Sequence, residues 1–151
     1  MIHPHTIVYR IDLAPIGKGR PRFTRATGRA RTPESTRQWE AQAAAQLREQ
    51  HTGQALDARA PLWCVSIDAY YPRPKARPAY VPLELWKIQH MELHARSRYD
   101  LDNVAKIVLD ALQQGCVLED DRCVVLMHAE AWFAQPNEAG YLVVTLTEVR
   151  S

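Results

Sequence analysis

Apolar and polar residues alternate over 6–13 (TIVYRIDL), placing Ile7, Tyr9, Ile11 and Leu13 on one face, the two-residue period of a half-buried strand. The alternation returns over 62–71, with Trp63, Val65, Ile67, Ala69 and Tyr71 together. It returns again over 123–133, through Val125, Met127, Ala129, Ala131 and Phe133, and over 141–149, through Leu142, Val144 and Leu146. Pro136, Asn137 and Gly140 separate these last two strands, so the simplest pairing joins them as an antiparallel hairpin. Elsewhere the period becomes helical. With Thr32 as N-cap and Pro33 as first helical residue, a helix is predicted to about His51 on a stripe of Trp39, Ala43 and Leu47, with Gly53 at its exit. A second is predicted over 102–114, where Val104, Ala105, Ile107, Val108, Leu109, Ala111 and Leu112 fill most of the circumference. Its polar residues, Asp102, Asn103, Lys106, Asp110, Gln113 and Gln114, share an arc of about 120°.

Two stretches carry neither period. Residues 14–32 hold three of the six glycines and are predicted to form an irregular loop or a loose hairpin. Pro72, Pro74, Pro78 and Pro82 open a long loop reaching about residue 98, with room for one short helical turn around 83–90. No repeat, low-complexity tract or linker divides the chain, so one domain over 1–151 is expected.

Composition sharpens this outline only in places. At 151 residues, 46% apolar and 24% charged, the chain suits an ordinary globular domain rather than a disordered or fibrous one. Cys64, Cys116 and Cys123 are odd in number and contain no CxxC pair, which points to free thiols rather than a disulfide framework or a cysteine zinc site. No apolar run approaches the roughly 18 residues of a membrane span, and the start MIHPHT lacks the order of a secretory signal. A cytoplasmic protein is the expectation. The net charge of +2 is too small to decide on a polyanionic partner, so the placement of charge has to.

That placement is uneven. Asp100, Asp102, Asp110, Glu119, Asp120 and Asp121 put six of 17 carboxylates within 22 residues, a density that ordinary surface solvation does not require. Asp100 and Asp102 lie at the start of the second helix, where a carboxylate can cap free N–H groups and suits the dipole. One cap needs one carboxylate, so the pair exceeds the need. The short stretch around Gly115 can bring Asp120 or Asp121 back beside the helix edge. Converging carboxylates repel unless a hard cation such as Mg²⁺ or Mn²⁺ neutralises them. The plainer reading keeps a cap and a solvated acidic turn that never meet. Lys106, one turn after Asp102, is either a simple i, i+4 ion pair or a cation that steadies charge on a phosphoryl group. Asn103 is either a ligand or an exposed polar residue.

The basic residues cluster elsewhere. Lys18, Arg20, Arg22, Arg25, Arg29 and Arg31 place six positive charges in 14 residues without an acid, and Arg73, Lys75, Arg77, Arg96 and Arg98 continue them. Basic segments ahead of Asp100 and an acidic segment after it suit an enzyme that grips a polyanion by its backbone and cuts it at a metal. A solvated basic loop is the alternative for the first tract. His90-Met-Glu-Leu-His94 is HxExH and departs from the zinc pattern HExxH. Tyr70, Tyr71, Tyr80, Trp86 and Tyr99 are candidates for stacking on bases, although Tyr71 falls on the apolar strand face. No P-loop, GxGxxG or GxSxG motif is present.

The segment from Asp100 to Leu112, DLDNVAKIVLDAL, followed by Glu119-Asp-Asp121-Arg-Cys-Val-Val, resembles the signature of the RusA family of Holliday junction resolvases. GKGRPRF at 17–23 and TPESTRQWE at 32–40 are similar to the N-terminal half of such proteins. The resemblance implies a small α+β homodimeric endonuclease, often prophage-borne, with a small mixed sheet and two main helices packed on it. Such an enzyme binds four-way DNA junctions and makes paired nicks with Mg²⁺ or Mn²⁺. It implies essential acids at Asp100, Asp102 and Asp121, with Asp120 adjacent as a further metal ligand, and an essential Lys106. Lys18, Arg20, Arg22, Arg25, Arg29, Arg31, Arg96 and Arg98 are the expected DNA contacts. The stretch Pro72 to Ala95 is longer than the shortest members carry, and Tyr99 precedes the motif. A non-catalytic junction-binding module and a phosphohydrolase of small nucleotides are the rival readings.

Overall fold

The computed structural model describes residues 5–19, 22–24, 29–31, 33–51, 62–88 and 91–149. Four strands, β1 (Thr6–Ile11), β4 (Trp63–Tyr71), β5 (Val124–Phe133) and β6 (Tyr141–Glu148), form one mixed sheet in the order β1-β6-β4-β5. β6 runs antiparallel to both β1 and β4, while β4 and β5 are parallel. Two further strands, β2 (Arg22–Thr24) and β3 (Arg29–Arg31), pair with each other as a separate antiparallel hairpin, the second of the two forms expected of this tract.

Helices α1 (Glu34–Gln50) and α3 (Leu101–Gln114) pack on each other and share a core with one face of the sheet. From α3 come Val104, Ile107, Val108, Ala111 and Leu112, the i, i+3, i+4 pattern the sequence carries. They meet Ile7, Tyr9 and Ile11 of β1, Val65 and Ile67 of β4, and Leu142, Val144 and Leu146 of β6. Ala43 and Leu47 of α1 close the layer. α1 begins one residue later than the sequence predicts, with Pro33 as its N-cap. Thr32 and Gly53, the expected cap and exit, lie outside the described residues.

The predicted β5–β6 hairpin does not form. A parallel β5 has to be reached by a crossover, and α3 supplies it between β4 and β5. After β5 the chain hooks over the end of β4, where the Ala134 N–H donates to the Tyr71 carbonyl at 2.8 Å, so that β6 enters on the far side of β4. The proline and asparagine signal marked a turn correctly but carried no information about which strand it would skip. The alternation in β5 is likewise only half realised: Ala131 and Phe133 are buried, but Val125 and Met127 are 47% and 43% exposed.

The proline-rich stretch carries more structure than a loop. A four-residue helix, α2 (Leu83–Trp86), falls inside the predicted turn, and Val81, Leu93, Ala95 and Phe133 build a second small core. The Phe133 N–H donates to the Leu93 carbonyl and the Ala95 N–H to the Ala131 carbonyl, so this segment pairs with the far end of β5.

Candidate active site and nucleic-acid interface

Asp100 is the N-cap residue of α3, yet its carboxylate makes no capping hydrogen bond; the Asn103 and Val104 N–H groups bond to its backbone carbonyl instead. Simple capping therefore does not explain this acid. Asp102 stands in the first turn with its side chain 72% exposed, and its Oδ2 lies 3.6 Å from the Lys106 Nζ one turn on. Both project from the rim of a helix whose opposite side is in the core.

Asp121 opens a short 3₁₀ turn (Asp121–Cys123) immediately before β5, and α3 packs against this turn. The helix that carries Asp100 and Asp102 at its start is thus in contact with the turn that carries Asp121. Their side chains are not assembled. Among the described residues no group of three acids or histidines is close enough to hold a metal ion. Two of these acids already have cationic partners: Asp102 has Lys106, and Asp120 has Arg122. Asp120 Oδ1 accepts from the Arg122 N–H at 2.8 Å, and Oδ2 accepts from Nε at 2.8 Å and lies 2.7 Å from Nη2. This clamp by the Arg122 side chain, with help from its backbone N–H, holds the Asp120 carboxyl down at about 2. As a ligand Asp120 would have to surrender that fork, whereas Asp100 and Asp121 are exposed. Carboxylates such as Asp100, Asp102 and Asp121 offer only hard oxygens, which suit Mg²⁺ or Mn²⁺ rather than a thiophilic metal.

Of the expected DNA contacts, Arg20 and Arg25 lie outside the described residues. The β2–β3 register sets Arg22 opposite Arg31 and Thr24 opposite Arg29. Arg96 is exposed, its guanidinium 4.6 Å over the Tyr80 ring, and Arg98 sits 5.9 Å from the Tyr99 ring centre. Arg98, Tyr99 and Asp100 therefore lead directly into the acidic helix. Lys18 is different. Its Nζ turns inward to the Asp110 carboxylate and lies 3.9 Å from Glu40 Oε1.

Glu40 is what the sequence reading passed over. It is 6% exposed, on the α1 face that also buries Thr36, Trp39, Ala43, Ala44 and Leu47. A charge directly after Trp39 and one turn before Ala44, alongside the apolar stripe, was the available signal. Burial raises the Glu40 pKa, partly opposed by Lys18. His90 lies outside the described residues, and His94 stacks on Trp132 with centroids 3.9 Å apart. Tyr70 stacks on Tyr141, Trp86 meets Phe133 edge-on, and Tyr71 bonds to Ser97, so those aromatics are spent on internal contacts.

A mixed four-stranded sheet with two main helices, acids at the start of one helix and in a turn touching it, and a basic hairpin make this an α+β protein. Residues 12–144 match the family model described as Endodeoxyribonuclease RusA, and the chain belongs to that family. The membership extends over both the basic tract and the acidic constellation, and the family implies Holliday junction endonuclease activity. No curated protein matches the chain. No described helix is long and apolar enough to cross a membrane.

Proposed function

We propose that this chain is a Mg²⁺-dependent endodeoxyribonuclease, with Mn²⁺ able to substitute, that resolves four-way junctions by paired phosphodiester cleavage. The observation that carries the reading is the packing of α3, with Asp100 and Asp102 at its start, against the turn that holds Asp121. Asp100, Asp102 and Asp121 would hold the ion. When bound, a divalent ion supplies an acidified water and neutralises phosphoryl oxygens. Lys106, 3.6 Å from Asp102, would lose that partner if the carboxylate held a divalent ion, and its ammonium would then be available to steady charge on the phosphate. Arg20, Arg22, Arg25, Arg29, Arg31, Arg96 and Arg98 track the DNA backbone and position the scissile phosphate.

A two-fold symmetric junction needs two matched cuts, which a C2 dimer delivers. The outer edge of β5 supports a dimer surface: it is an edge strand bearing Val125, Leu126 and Met127, all between 43% and 56% exposed. One observation favours a non-catalytic binding module, namely that Asp102 and Asp120 already have cationic partners within the chain. Incubating the protein with a synthetic junction decides between them. Paired nicks that need Mg²⁺ or Mn²⁺ are expected; tight binding without nicks at any metal concentration overturns the enzyme reading.

A further inference from the structure

The segment Gly17-Lys18-Gly19, at the root of the basic tract, is gripped from two sides. The Lys18 N–H donates to the Asn103 carbonyl of α3 at 3.1 Å, and the Gly19 N–H donates to Thr36 Oγ1 of α1 at 3.2 Å. A Cβ on Gly17 would stand 3.0 Å from the Tyr99 Cβ, and one on Gly19 would stand 2.7 Å from the Pro33 ring, so only glycine allows so close an approach on both sides. Between them the Lys18 side chain reaches past the α1–α3 contact to pair with Asp110, with Glu40 Oε1 at 3.9 Å.

The chemistry at the end of that side chain is unusual. Glu40 is buried, its Oε2 accepts from Gln114 Nε2 at 2.9 Å, and its Oε1 has no hydrogen-bond partner. A buried carboxylate oxygen without a donor is costly, and the only cation near it is Lys18 among the described residues. Asp110 adds a second negative charge to the same place. The lysine is therefore held where it is by two carboxylates on two helices, one of which carries Asp100 and Asp102 at its start.

We infer that Lys18 is a positioning residue rather than a DNA contact: its ion pairs with Asp110 and Glu40, together with its N–H bond to the Asn103 carbonyl, lock the root of the basic hairpin to the helix that starts with Asp100 and Asp102, fixing the backbone grip relative to the cutting acids. The inference rests on the nuclease reading for its consequence but not for its geometry. A displacement of about 1 Å between grip and acids is enough to cost on the order of 100-fold in rate.

The test compares wild type with Lys18→Met, Glu40→Gln and the double variant, in which both charges of the pair are gone so that no charge is left buried alone. Hydrogen exchange at 99–104 and 33–37 reads the lock without any need for activity; faster exchange in Lys18→Met and in the double variant is expected, and protection equal to wild type in both overturns the inference. On a synthetic junction, single-turnover cleavage at saturating protein should fall about 10- to 100-fold in both. The salt slope of binding should keep its wild-type value, since no phosphate contact has been removed. A slope reduced by about one, with saturated cleavage unchanged, makes Lys18 a phosphate contact and overturns it. Absence of cleavage by wild type would instead sink the nuclease reading, leaving the exchange result to decide the lock.

Discussion

Asp102 and Lys106 are the most exposed charged pair on the rim of α3, so substitutions there report on chemistry more than on folding. Asp102→Asn keeps the volume and removes the charge. It is expected to bind a junction at least as tightly as wild type, one repulsive charge fewer facing the phosphates, and to cleave at least about 100-fold more slowly in a single-turnover assay. Full activity in that variant ends the assignment. Lys106→Ala should lose about 10²- to 10³-fold in cleavage rate, the scale for removing one preorganised electrostatic partner, with the affinity nearly unchanged. Asp120 makes a different prediction because Arg122 already occupies it. Its folded-state pKa, about 2 against an ordinary 3.8, is depressed, so its stabilising contribution is present above the ordinary value and fades as pH falls through about 2. In Arg122→Ala, the Asp120 carboxyl should titrate back near its ordinary value, as followed by carboxyl NMR shifts, and salt should weaken the effect in wild type because the pair is exposed.

At the scale of elements, α3 is held by its buried face and only decorated by its charged one. Ile107→Ala removes a fully buried side chain between the helices and the sheet, and should cost about 2–5 kcal/mol in urea unfolding. Asp102→Asn should leave the same transition within about 0.5 kcal/mol. This division was legible in the sequence: the arc of Asp102, Asn103, Lys106, Asp110 and Gln113 is the half-buried or exposed side of α3, and Val104 to Leu112 supply the core. β1, β4 and β6 were legible for the same reason, since a two-residue period is local. What was not legible is non-local. The connection of Ala134 to the end of β4 that displaces β6 depends on a backbone bond to Tyr71, 63 positions away in the chain, and no turn residue encodes it. The inward turn of Lys18 was hidden similarly, because a lysine in a basic tract reads as solvent-facing until Glu40 and Asp110 are seen to converge on it from two helices.

For the whole molecule, the question is how one acidic site makes two cuts. The bonds from Phe133 to Leu93 and from Ala95 to Ala131 show that β5 turns the backbone groups of its odd residues outward. By alternation those of Met127 face the same way, beyond the reach of the 93–95 segment, while the register with β4 shifts between Val124 and Leu126 and leaves Val125 as the extra residue. Two copies pairing antiparallel about Leu126 would put Val125 against Met127 and Leu126 against itself, and bring Arg122 toward Glu130 of the second copy. The paired strands begin directly after Asp121, so this arrangement ties both acidic turns to a common two-fold axis. Leu126→Lys places like charges on that axis and should move the protein from dimer to monomer in sedimentation equilibrium without loss of the monomer's thermal transition. On a junction the monomer is expected to accumulate singly nicked product where wild type gives paired nicks. A Leu126→Lys protein that stays dimeric and still cuts in pairs would place the dimer contact elsewhere on the surface, since two lysines facing each other across an antiparallel pair are not tolerated at so short a separation.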